Sequence, residues 1–113
     1  MRNIEERMIN AVINRVNYRE NNTKVYNTNK GVFVYLYDTI IYAKVNGTEY
    51  YSDGGYNTTT TSSRLRALGA EYSTNEKHRK CVLHSQDDMK HLLYYGRLKQ
   101  KARKAKTTKV LAA

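Results

Sequence analysis

Two groups of side chains in this sequence are suited to holding phosphate. The first is the hydroxyl run Thr58-Thr59-Thr60-Thr61-Ser62-Ser63 leading into Arg64-Leu65-Arg66. Hydroxyls and free backbone N–H groups at a helix N-terminus can cradle an anion, and arginines add charge-assisted hydrogen bonds. Thr60, Thr61, Ser62, Ser63, Arg64 and Arg66 are therefore candidate phosphate ligands; the plain structural account is a capped helix with solvated arginines. The second is the C-terminal run Arg97, Lys99, Lys101, Arg103, Lys104, Lys106 and Lys109, seven cations in 17 residues without an acid. Such a run makes phosphate contacts and reads bases poorly, and it serves equally as a solubilising tail.

Tyrosine supplies a third possibility. Eight of the 11 tyrosines fall between Tyr18 and Tyr56, interleaved with Val, Ile and Thr. On an exposed sheet face, aromatics such as Tyr35 and Tyr37 stack unpaired bases, with Lys30 and Lys44 nearby to follow the backbone. Tyrosine is also a good strand former, so packing beneath a helix is the competing explanation. Phe33-Val34-Tyr35 does not match the aromatic motif of an RNA-recognition sheet, and the order of elements differs from one.

Metal binding and catalysis find less support. His78, Cys81 and His84 have the spacing His-x-x-Cys-x-x-His. On one helix the two histidines would sit roughly 240° apart, and one thiolate is a poor basis for a zinc site. Surface histidines are the expectation, with no metal. Asp87, Asp88 and Lys90 imitate part of a metal-dependent nuclease site, yet both acids stand where a helix start favours them. His84 and His91 resemble an acid–base pair without a third supporting group. No catalytic residue and no cofactor are expected.

The chain has 113 residues and a net charge of +10, which indicates one small domain and an anionic partner. Mean hydropathy is −0.80, and no apolar run reaches the roughly 18 residues that span a bilayer. Cys81 is the sole cysteine, which excludes an internal disulfide and suits a reducing compartment. The segment Met1 to Glu6 lacks the apolar core of a signal peptide, so an intracellular site is expected.

These residues need a scaffold. Ile4, Met8, Ala11, Val12 and Val16 share a helical stripe, predicting a helix over 3–18 with Asn3 and Glu6 as its cap. Asn17 to Thr23 reads as a turn. Turn signals at Asn29-Lys30-Gly31, Tyr37-Asp38-Thr39 and Asn46-Gly47 divide strands at about 24–28, 31–37, 40–45 and 48–52 into an antiparallel meander. A short helix is predicted from Ser62, stopped by Gly69, and another from the Ser85-Gln86-Asp87-Asp88 start. Residues 70–84 give no clear pattern. After Tyr95 the chain reads as a frayed helix end or a flexible basic tail.

The stretch GVFVYLYDTIIYAKVNG followed by YYSDGGYNTTTTSSRLRALG resembles a group of small tailed-bacteriophage proteins. In these a strand pair leads into a small-residue turn, a Thr-rich segment and a Ser-Arg-Leu-x-Ala-Leu helix. Ser52, Gly54, Gly55, Tyr56, Thr58, Thr60, Thr61, Ser63, Arg64, Leu65, Ala67 and Leu68 carry the likeness, over about the middle third of the chain; Arg66 stands where Asn is more usual. The resemblance implies phage origin and a host-cytoplasmic location, and it transfers no catalytic residue.

The expected fold is α+β: an N-terminal helix, a four-stranded antiparallel β-meander, a short helix and a C-terminal helix with a basic end, the two terminal helices on one sheet face. Residues 1–96 would form the domain and 97–113 the helix end or tail. The expected function is non-enzymatic nucleic-acid binding through phosphate contacts, favouring RNA or single-stranded DNA because of the tyrosines. The alternatives are an inhibitor docking on an acidic surface of a host or anti-phage defence protein, and a minor virion component. Charge and composition do not fix the oligomeric state.

Overall fold

Apolar residues at helical spacing make Asn3–Asn14 the first helix, α1, with Met8 and Ala11 buried and Ile9 and Val12 at the margin of the same core. The computed structural model describes residues 3–98; the side chain of Asn3, and so the Asn3–Glu6 cap, lies outside what it describes. The helix ends four residues earlier than the apolar stripe suggests, leaving Val16 half exposed. The cause is Arg15, whose φ of 55° is left-handed. Its amide donates to the Val12 carbonyl at 3.3 Å and that of Val16 to Ala11 at 3.0 Å, the paired bonds of a helix stop normally made by glycine. Replacing Arg15 with glycine should stabilise the fold by about 1 kcal/mol, read as a higher urea midpoint with an unchanged slope.

Five antiparallel strands follow in simple meander order: β1 (Tyr18–Glu20), β2 (Thr23–Asn27), β3 (Val32–Leu36), β4 (Thr39–Val45) and β5 (Thr48–Tyr51). The strand beyond the four expected, β1, comes from the segment read as a turn. Asn21, at φ 53°, turns the chain so tightly that Tyr18-Arg19-Glu20 pairs back on β2. Its outer end is tied down by Arg7, which donates to the Glu20 carboxylate at 2.8 and 2.7 Å while the Tyr18 hydroxyl donates to the same group. Asn46 and Gly47, both at positive φ, make the last hairpin turn as the Asn-Gly pair indicates.

Both sheet faces are packed. Val25, Val32, Val34, Leu36, Ile41 and Tyr42 meet α1 and the second helix, α2 (Thr59–Ala67), on one face. Phe33, Ile40, Ala43 and Val45 meet Met89 and Leu92 of the third helix, α3 (Gln86–Tyr95), on the other. The expectation that both terminal helices share a face is therefore corrected: the molecule has three layers. The reason lies in β3 and β4, which are apolar on both sides and need a cover on each. A bulge in β4 leaves Ile41 without a β3 partner and turns Ile41 and Tyr42 together toward the α1 side. Gln86 then secures α3, accepting from the Ile40 amide at 2.9 Å and donating to the Ile40 carbonyl at 2.8 Å and to buried Ser52 at 3.0 Å.

The loop over 70–84 has its own anchor. The Tyr72 hydroxyl donates to Asp53 at 2.9 Å, and the Arg79 guanidinium lies 4.5 Å over the Tyr72 ring. Burial first, then the Asp53 carboxylate, pushes the Tyr72 phenol up to about 12; burial and Glu49 do the same for Tyr51. The unfolded phenol titrates near 10, so unfolding releases protons between these values and stability falls as pH rises from about 10 to 12. Denaturant midpoints taken across that range should drop, and Tyr72→Phe should flatten the drop.

Candidate nucleic-acid interface

Helix α2 is capped by Thr58, whose hydroxyl accepts from the Thr61 amide at 3.2 Å. It starts three residues before the expected position, so Thr60 to Ser63 lie within the helix. Gly69, at φ 102°, closes it as expected, with amides of Gly69 and Ala70 donating to Arg66 and Leu65. The early start changes what the hydroxyls do. Thr61 and Ser62 are buried, the Ser63 hydroxyl donates to Glu5, and Arg66 donates to Ser62. Arg64 is 11% exposed, bonded to Glu5 at 2.9 Å and to Thr23 at 3.1 Å.

In place of an anion cradle, then, Arg64 and Ser63 tie α2 to α1. A cleft of about 530 Å³ does open beside Thr58, Thr60 and Thr61, but Asp38 and Asp53 line it as well. Two carboxylates oppose phosphate there.

The basic and aromatic residues converge elsewhere. Cα pairing sets Arg19 opposite Lys24, Lys24 opposite Tyr35, and Tyr26 opposite Phe33, so the pleat turns all five to the α3 side of the sheet. Helix α3 packs chiefly over β4, which leaves the β1–β2 half of this face open. Arg19 and Tyr26 are exposed and Lys24 and Tyr35 half-buried. The Lys24 ammonium stands 4.5 Å over the Tyr35 ring and 5.6 Å over that of Tyr26. Burial, with Tyr94 and Tyr26 as neighbours, raises the Tyr35 pKa and keeps the phenol neutral.

Tyr37 sits at the β3–β4 turn, 72% exposed at φ 58°. It shares a cleft of about 470 Å³ with Arg19, Asn21, Asn22, Thr23, Lys24 and Asp38. Lys44 pairs with Val32 and therefore falls on the opposite face.

The end of α3 completes this surface. Ser85 caps the helix by accepting from the Asp88 amide, as the sequence indicates, and Gly96 stops it at φ 73°. A side chain at Gly96 would sit 3.2 Å from Lys30 Cδ, so the chain leaves α3 against the β2–β3 turn. Arg97 and Leu98 lie beyond this stop. His91 Nδ1 donates to the Arg97 carbonyl at 2.6 Å, and the Arg97 guanidinium lies 6.0 Å from the Tyr95 ring. Lys99, Lys101, Arg103, Lys104 and Lys106 fall outside the described residues.

Among the described residues the ion pairs are Arg7–Glu20, Arg64–Glu5, Arg79–Asp53 and His84–Asp88. Arg19, Lys24, Lys30 and Arg97 enter none of them. Also among the described residues, no three His, Cys, Asp or Glu side chains gather as a metal site. Cys81 is half-buried, with burial as the main cause of its raised pKa.

Residues 1–91 match the model of the Kyanoviridae Gp96 protein family. The chain belongs to this phage family. Phage origin, inferred from the Gly31–Gly69 likeness, therefore stands on most of the chain. The family match includes Arg19, Lys24, Tyr26, Lys30 and Tyr35 and stops short of Tyr94 and the basic run. No curated protein and no solved structure matches the chain. Among the described residues no helix is long and apolar enough to cross a membrane.

Arg19, Lys24 and Tyr26 were not singled out by sequence reasoning. The signal available was Lys24-Val25-Tyr26, which puts a cation and an aromatic two residues apart on one strand face. The turn-like composition of residues 17–23 masked only Arg19.

Proposed function

We propose that this phage protein binds nucleic acid through the open half of its sheet, with phosphate contacts supplying most of the affinity. One observation carries the reading: the four cations Arg19, Lys24, Lys30 and Arg97, without carboxylate partners among the described residues, lie around one aromatic surface. Glu5 and Glu20 are engaged elsewhere, with Arg64 and Arg7, which leaves Asp38, among the described residues, as the one acid lining the Arg19–Lys24 cleft. Such a patch is an electrostatic footprint for a polyanion. The basic run from Arg97 starts at its edge, so Lys99, Lys101, Arg103, Lys104 and Lys106 extend the same charge along the sequence.

The test is binding of fluorescent oligonucleotides over a range of salt concentrations. Each phosphate contact contributes about −0.7 (single strand) to −0.9 (duplex) to the slope of log K against log salt. A slope of magnitude about 2.8 is expected from the four cations alone, about 0.7 each on a single strand, with the tail adding more. A slope near zero would overturn the reading. Stoichiometric capture of one protein from nuclease-treated host lysate, without oligonucleotide binding, would point instead to an inhibitor acting on an acidic protein surface.

A further inference from the structure

The open half-face carries more than charge. Tyr26 and Tyr35 stand on adjacent strands at diagonal positions, since Tyr26 pairs with Phe33 and Lys24 with Tyr35. Diagonal neighbours are roughly 7–8 Å apart. Their ring faces are covered by one flexible cation, Lys24, at 5.6 and 4.5 Å, and the Tyr26 side chain is among the large apolar groups left exposed.

We propose that Tyr26 and Tyr35 form a stacking platform for unpaired bases, so that the ligand is single-stranded nucleic acid. This rests on the nucleic-acid reading above. In the free protein Lys24 shields both rings; when bases arrive, its ammonium swings off the ring faces to an adjacent phosphate. The exchange trades a weak exposed cation–aromatic contact for base stacking and a charge-assisted hydrogen bond. Base faces in a duplex are occupied by their own neighbours and cannot use such a platform. Tyr37, across the Arg19–Lys24 cleft, and Tyr94, beside Tyr35, extend the aromatic surface on either side.

The experiment uses the full chain with an oligothymidine, an oligouridine and a duplex of equal length, read by anisotropy and by tyrosine emission. With no tryptophan in the sequence, protein emission reports tyrosine. Single strands should bind at least about tenfold tighter than duplex and quench emission. Tyr26→Leu should lose about tenfold in single-strand affinity with the salt slope unchanged, and Tyr26→Phe should keep it. Equal binding of duplex and single strand, or an unchanged affinity in a folded Tyr26→Leu variant, overturns the platform while leaving the nucleic-acid reading in place. Failure to bind any of the three overturns both.

Discussion

Replacing Arg19, Lys24, Lys30 and Arg97 together with glutamine is expected to weaken single-strand binding by about 100-fold to 1,000-fold at about 0.1 M salt. Each cation withdrawn from a phosphate removes about 0.7 from the slope of log K against log salt, so the slope should become shallower by about 2.8. Fold stability should change little, because among the described residues none of the four makes an ion pair with a carboxylate. Lys24 and Arg97 give up contacts to ring faces, which are worth about 0.5–1 kcal/mol at exposed sites. A large loss of affinity without loss of stability is what separates an interface charge from a structural one.

Arg64 is the opposite case. Arg64→Ala should destabilise the protein by about 2–3 kcal/mol, less than a fully buried pair would lose because both partners keep some solvent. The substitution leaves the Glu5 carboxylate, 16% exposed, without its guanidinium, and removes the bond to Thr23. For a domain of this size that corresponds to a melting temperature lower by roughly 10–20 °C. Below the transition, oligonucleotide affinity should be unchanged. Replacing Glu5 and Arg64 together with methionine should recover much of the loss, since an apolar pair of similar volume avoids the stranded charge. A drop in affinity with intact stability would return Arg64 to the phosphate-binding role first assigned to it.

The contrast between these arginines explains what the sequence discloses and what it hides. Elements bounded by strong local signals appear where expected: the Asn46-Gly47 hairpin, the Gly69 stop and the Ser85 cap each depend on one or two residues with special backbone or capping chemistry. Tertiary choices were not local. Arg64 sits in a hydroxyl-rich helix start that suits an anion, but its partner Glu5 is 59 residues away and becomes adjacent only when α1 packs beside α2. Likewise, β3 displays bulky residues on both faces, and nothing within it states which helix covers which. The β4 bulge at Ile41 reassigns two residues to the α1 side, a shift that strict alternation cannot register. Strand β1 was missed because Asn21, which allows the tight turn, also makes its neighbours look like loop.

The candidate site was half legible. Tyr35 and Tyr37 were identified from aromatic alternation, and both lie beside Lys24 in the structure. Of the two lysines expected to accompany them, Lys30 lies against the end of α3 and Lys44 falls on the opposite face, while Arg64 and Arg66, expected beside the hydroxyl run, bond within the molecule. Arg97 joins the surface because Gly96 ends α3 against Lys30.

Amide and aromatic chemical-shift mapping during titration with an oligouridine tests the central claim most directly. The account predicts shifts concentrated at Arg19, Lys24, Tyr26, Tyr35 and Tyr94, with Thr58 to Arg66 unmoved. Shifts centred on Thr58 to Arg66 with the open half-face silent, or none anywhere on the domain, would contradict it.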